Sequence, residues 1–179
     1  MLFRSVYTPF FKKASKLPVP KPSGEPRGRF SAATGFKGKT VSPRDFWPKT
    51  SAPQRLSVGG RSHGLAVLKS IKDFREYEEQ RNLPAVRGTT LLAPHHKFGT
   101  VSIRESYHAV AAAFGAGHTL IRELYWRDFF THIGFHFPHV FEGAFHKMYD
   151  ALSWNDDPAL FDAWCRGRTG FPIVDAGMR

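Results

Sequence analysis

Two adjacent glycines, Gly59 and Gly60, mark the break that most limits how this chain can fold. Residues 1–62 carry 13 Lys and Arg against only Glu25 and Asp45, whereas residues 63–179 carry 13 of each sign. The formal net charge of +11 therefore belongs to the first third, which is also rich in Pro, Gly and Ser and lacks a sustained apolar period. A segment of that kind buries too little apolar surface to offset its chain entropy, so residues 1–62 are expected to form a basic, largely irregular arm. Clustered Lys and Arg suit a phosphate backbone or an anionic surface.

Downstream of the break the periodicity is helical. Leu65, Leu68, Ile71, Phe74 and Tyr77 recur in three-residue steps and read as one face of a helix ending before Pro84. Residues 83–99, with two prolines and no period, read as a loop. Ser102 and Glu105 have capping-box spacing, ahead of a buried stripe of Ile103, Tyr107, Val110 and Phe114. Thr119 is placed to cap a longer helix running towards Gly134 and Pro138. Asp157 and Pro158 start a short helix that Gly167 stops, and residues 172–179 read as the first turns of another, with sequence expected to continue past Arg179. No strand and no internal repeat are evident. The expected fold is mainly α, with an arm over 1–62 and a helical domain over 63–179, whose 41% hydrophobic content is enough for a core.

Several classes of chemistry lack their residues. Walker loops, dinucleotide glycine fingerprints and nucleophilic triads are missing. His132 and His136 share a helix face, but no third ligand joins them at coordinating distance in sequence, so no metal site is expected. The single cysteine, Cys165, fits a reducing compartment, and no apolar run approaches the roughly 20 residues of a membrane-spanning helix. The start, MLFRSVYTPFFKKASK, is basic and free of acids, as organelle presequences are. Nucleus, cytoplasm and organelle all stay open.

Two groups of residues carry candidate chemistry. Thr89 and Thr90 set hydroxyls beside backbone N–H groups just ahead of a capped helix, a turn that suits a diphosphate, although Ser and Thr populate ordinary loops too. Glu123, Trp126, Arg127 and Phe130 fall on one helix face by the i, i+3, i+4, i+7 rule. Spacing alone reads them equally as an aromatic core stripe flanked by a Glu–Arg ion pair.

Three blocks resolve that choice by likeness. YEEQRNLPAVRGTTLLAPHHKFG (77–99), ELYWRDFF (123–130) and SWNDDPALFDAWCRGRTGFPIVDAGMR (153–179) follow one another as they do in the class I DNA photolyase and cryptochrome family, which the chain resembles from about Tyr7 onward. The resemblance implies the N-terminal half of that family's helical FAD-binding domain. YTPFFKK would be the linker after an antenna domain, and the asparagine, acidic pair and inner tryptophans of the family would follow Arg179. It implies that Tyr77, Thr89, Thr90, Leu91, Leu92 and Ala93 contact the FAD phosphates and ribityl chain, with Leu120 as an apolar flavin contact. Glu123 would bond the thymine edge and Trp126 would stack on an extruded pyrimidine dimer. Arg81, Arg127 and Phe130 would complete the DNA face, and Trp154 would be the outer member of the electron relay. Two positions depart from the pattern: Ala93 replaces a serine and His96 a leucine.

The implied activity is blue-light-driven splitting of cyclobutane pyrimidine dimers in damaged DNA by reduced FAD, with this chain supplying half a cofactor site. The alternatives are a cryptochrome photoreceptor on the same scaffold, and a non-catalytic basic DNA-binding protein. Glu123 favours repair over photoreception, since a carboxylate on the thymine edge serves the lyase.

Overall fold

The computed structural model describes residues 5–24, 38, 42, 46 and 57–179, and among these residues there are α-helices and 3-10 turns but no strand. They fall into two compact units, Met1–His132 and Ile133–Arg179. The basic stretches 25–37 and 47–56 lie outside the described residues, and with them the expectation of an irregular arm there.

The first unit begins inside the segment read as arm. Helix α1 spans Tyr7–Ala14, with Phe10 only 3% exposed. Tyr7, Phe10, Phe11 and Ala14 sit at i, i+3, i+4 and i+7, a helical apolar stripe that the surrounding charge obscures. Phe10 packs against Phe129, ring centroids 5.5 Å apart.

The expected continuous helix over 65–77 is three pieces: α2 (Arg61–Lys69), a 3-10 turn (Ile71–Phe74) and α3 (Tyr77–Gln80). A step of exactly three residues falls short of the α-helical repeat and drifts about 60° per step, so five such residues cannot share one α-helical face. The chain re-aims at Ser70, whose hydroxyl donates to the Val67 carbonyl at 3.2 Å. The tighter 3-10 turn, which does repeat every three residues, then buries Ile71. Gly64 lets α2 approach its neighbours: a Cβ there would overlap Val101 Cγ2.

The expected loop at 83–99 contains a short helix, α4 (Ala93–Lys97), with Pro94 in its first turn, where no N–H is needed. Helix α5 (Ile103–Phe114) has the anticipated capping box, with Glu105 N–H donating to Ser102 Oγ at 3.1 Å and Ser102 N–H to Glu105 Oε2 at 2.8 Å. Arg61 binds the same carboxylate at 2.6 Å, and these bonds, Arg61 foremost, pull its pKa down to about 2. Of the expected α5 stripe, Val110 is buried, while Ile103, Tyr107 and Phe114 are half-buried and Ser106 is the more enclosed.

Helix α6 spans Thr119–His136 and buries Leu120, Ile121, Tyr125 and Phe129. Thr119 is inside it rather than capping it. The Leu120 N–H donates to His118 Nδ1 at 3.3 Å, so the preceding imidazole takes the role expected of the threonine.

In the second unit, 3-10 turns at Pro138–Phe141 and Lys147–Ala151 precede α7 (Pro158–Cys165) and α8 (Pro172–Met178). Asp157 caps α7 as expected, accepting from Ala159 N–H at 2.8 Å, and Gly167 follows it with a left-handed φ of 60°. Asp175 Oδ1 accepts from the Thr169 backbone and hydroxyl, both at 2.7 Å, and Oδ2 from Gly170 N–H at 3.1 Å. The Thr169 hydroxyl leads in holding this carboxyl below its ordinary range.

Candidate functional site

Within the first unit, a cavity of about 730 Å³ opens between the 77–97 segment and α6. One wall is Tyr77, Thr89, Thr90, Leu91, Leu92 and Ala93, and the facing wall is Leu120, Glu123, Arg127 and Phe130 of α6. All six FAD-contact positions implied for 77–93, together with Leu120, are thus brought to one space. The walls join because α3 is tied to α6 by an Arg81–Glu123 ion pair, and the Arg81 guanidinium also lies 5.6 Å from the Tyr77 ring centroid.

Backbone shape contributes as much as side chains here. Leu91 has φ 53°, the one non-glycine residue with positive φ among those described. A left-handed leucine costs about 1–3 kcal/mol, so its surroundings must hold it there. Thr90 Oγ1 accepts from Leu92 N–H at 3.3 Å, bracing the turn. Polar atoms at Thr89, Thr90 and Arg127 together with an apolar floor of Ile71, Leu92, Val110 and Leu120 suit a ligand with a flat apolar part and an anionic part. FAD has both parts, so the residues present fit it.

On α6, Trp126 is not part of the cavity wall. It is 36% exposed, and one indole face is covered by the Tyr7 ring, centroids 3.5 Å apart and 6° from parallel. Phe130, 63% exposed, continues the aromatic surface at 5.8 Å. The Glu–Arg pairing that spacing suggested on this helix is absent: Glu123 pairs with Arg81, and Arg127 with Asp128 at 3.4 Å. Burial raises the Asp128 carboxyl pKa, and Arg127 and His132 only partly oppose it. Trp154 belongs to the second unit and is 76% exposed.

Among the cavity residues that sequence reasoning did not assign to the site are His96 and Ser106. Their side chains meet at 2.7 Å, His96 Nε2 to Ser106 Oγ. Burial, then the Arg127 and His95 charges, lower the His96 pKa from 6.5 and so favour the neutral ring. The signal for His96 was its replacement of the leucine in the family pattern, whereas Ser106, one turn beyond a capping serine, gave none. No group of three His, Cys, Asp or Glu side chains converges among the described residues, and no helix there is long and apolar enough to cross a membrane.

An α-helical domain with a mixed polar and apolar cleft of cofactor size has the form of a ligand-binding helical domain. The family model described as the FAD binding domain of DNA photolyase matches residues 120–179. A deoxyribodipyrimidine photo-lyase of Synechococcus sp. is 33% identical over 208 residues, covering 98% of this chain and 40% of the relative. Those of Agrobacterium fabrum and Escherichia coli are 34% and 39% identical, covering 97% and 64% of this chain and 39% and 27% of theirs. Residues 120–179 belong to the FAD-binding domain family of DNA photolyase, FAD is the cofactor of that domain, and the chain, similar to these relatives along almost its whole length, spans about 40% of the first of them.

Proposed function

We propose that this chain supplies part of the FAD site and part of the DNA-facing surface of a light-driven DNA repair lyase acting on cyclobutane pyrimidine dimers. The observation that carries this reading is the cavity in which Tyr77, Thr89 and Thr90 face Glu123 and Arg127 of α6. Relatives along almost the whole chain are named deoxyribodipyrimidine photo-lyases, which supports the same reading.

FAD, when bound, supplies the light-driven electron chemistry; the protein's part is to bind, orient and exclude water. Thr89 and Thr90 hydroxyls, Tyr77 and the turn through Leu91, Leu92 and Ala93 would hold the phosphates and ribityl chain, with Leu120 against the ring system. A base inside the duplex is out of reach, so the lesion is read after extrusion, and a dimer already distorted is cheaper to unstack than a normal pair. Trp126 and Phe130 would stack against it, and Glu123 would accept from its edge. Arg81 and Arg127 would meet phosphates.

The Arg81–Glu123 ion pair bears on this assignment. Both side chains are about one-third exposed, so the pair opens at modest cost, and each member then has a DNA group to bind in place of the other. Residues 1–62 would add non-specific, salt-sensitive affinity, and 63–179 would be the helical domain proper.

The test is DNA binding by the 179-residue chain to a single-stranded oligonucleotide with one thymine dimer and to its undamaged twin. Trp126→Ala should lower the preference for damaged DNA by about 5–150-fold, because stacking of a base on an aromatic ring contributes about 1–3 kcal/mol. Arg127→Ala should weaken both equally. Identical behaviour of the two variants would refute the division between stacking and phosphate roles.

A further inference from the structure

We infer that Tyr7 is a positioning residue for Trp126, holding the indole so that only the opposite face is offered to an unpaired base. The inference rests on the base-binding role proposed for Trp126 and adds to it a residue outside the region that the family model matches.

Tyr7 is the first residue of α1, and its place is fixed from several directions. Its hydroxyl donates to the Arg122 carbonyl of α6 at 3.0 Å, one turn before Trp126. Behind it, Phe10 is buried against Phe129, Phe11 meets Tyr125 edge-on at 5.3 Å, and the Arg122 guanidinium lies 5.5 Å from the Phe11 centroid. The Tyr7 ring lies almost flat on the indole, the geometry a stacked base would adopt. Phe129 closes one edge of both rings, T-shaped to each at 5.7 Å. A covered face, a closed edge and a partly exposed remainder, flanked at 5.8 Å by the exposed Phe130 ring, make a one-sided platform that Phe130 extends.

The physical gain is preorganisation. A large side chain that is free to change rotamer must be ordered when a base stacks on it, at a cost of about two- to tenfold in affinity. Tyr7 removes that freedom before DNA arrives. The same contact predicts that the ring, rather than the hydroxyl, carries the effect: the stack lies over the indole, whereas the hydroxyl bond only ties α1 to α6.

The experiment has two readouts on the full chain. In a background where Trp47, Trp154 and Trp164 are Phe, acrylamide quenching reports on Trp126 alone. Tyr7→Leu should raise its quenching constant about twofold, and Tyr7→Phe should leave it near the parent value. With the thymine-dimer oligonucleotide and its undamaged twin, Tyr7→Leu should lower the preference for damage by about threefold or more, Tyr7→Phe should retain it, and affinity for undamaged DNA should hold in both. Tyr7→Leu combined with Trp126→Ala should be no worse than Trp126→Ala alone, because the two act through one contact. If Trp126→Ala lowers the preference and Tyr7→Leu does not, the positioning role is overturned while the base-binding role stands. If Trp126→Ala itself has no effect, the base-binding role falls, and the positioning role falls with it. Quenching unchanged in Tyr7→Leu would refute the stack directly.

Discussion

Residues 57–132 and residues 133–179 treat their apolar side chains in opposite ways. In the first stretch Ile71, Val101, Val110 and Ile121 are at most 4% exposed. In the second no apolar side chain is buried, and Phe135, Phe141, Trp154 and Ile173 are each more than 70% exposed. Yet the second lies wholly within residues 120–179, which the photolyase family model matches, and contains the block from Ser153 to Arg179. Its local shape comes from short polar bonds, Asp157 on the start of α7 and Asp175 on the Thr169 turn, rather than from a core. Match to the family model and density of packing are therefore separate properties of this chain.

The largest expected effect separates the two directly. Ile121→Ala, at a side chain 1% exposed, should lower unfolding free energy by about 2–5 kcal/mol. Phe161→Ala, at a side chain 65% exposed, should change it by no more than about 0.5 kcal/mol. Urea unfolding of the two variants checks this, and equal effects would erase the contrast.

Caps give a smaller and sharper comparison. Ser102→Ala and Asp157→Ala each remove one N-cap acceptor, a loss of about 0.5–2 kcal/mol. Ser102→Ala should move the main unfolding transition, because α5 is part of a buried core. Asp157→Ala should instead appear as faster amide exchange confined to α7, with the main transition in place. A shift of the main transition by Asp157→Ala would mean that the two stretches share one cooperative core.

The smallest effect is titration of His96. Its folded pKa is depressed below 6.5, chiefly by burial. Its contribution to stability is therefore complete above that value and is lost as pH falls through it towards the folded pKa, because the unfolded chain takes up the proton first. Urea midpoints between pH 8 and pH 5 should fall more steeply for the parent than for His96→Leu. Parallel slopes would show that the imbalance between the stretches does not extend to the cavity wall.

What could be read in advance follows the range of the interaction. The Ser102–Glu105 box and the Asp157 cap depend on residues two or three apart and were legible. The three-residue step at 65–77 was visible but misjudged, since it signals a 3-10 segment and a change of direction rather than one α-helix. The α1 stripe was hidden by lysines that say nothing about the buried face. The Arg81–Glu123 and Tyr7–Trp126 contacts span 42 and more than a hundred residues, and no local period encodes them. The left-handed Leu91 has no signature at all, because nothing in its residue type favours positive φ. The cavity residues from Tyr77 to Ala93 were legible only through likeness to a family; their residue types alone describe an ordinary loop.

The measurement that tests the central claim most directly is an equilibrium titration of the purified chain with FAD, in the parent and in variants that fill the cavity. Ala93→Trp and Thr131→Trp replace exposed lining residues, so neither should disturb the core. An open cleft with few polar groups has little to set against the roughly 4–15 kcal/mol cost of association, so the parent should bind FAD weakly but saturably, and each Trp variant about tenfold more weakly still. Equal affinity in parent and variants, or no saturable binding by the parent, would contradict the assignment of this cavity to the flavin.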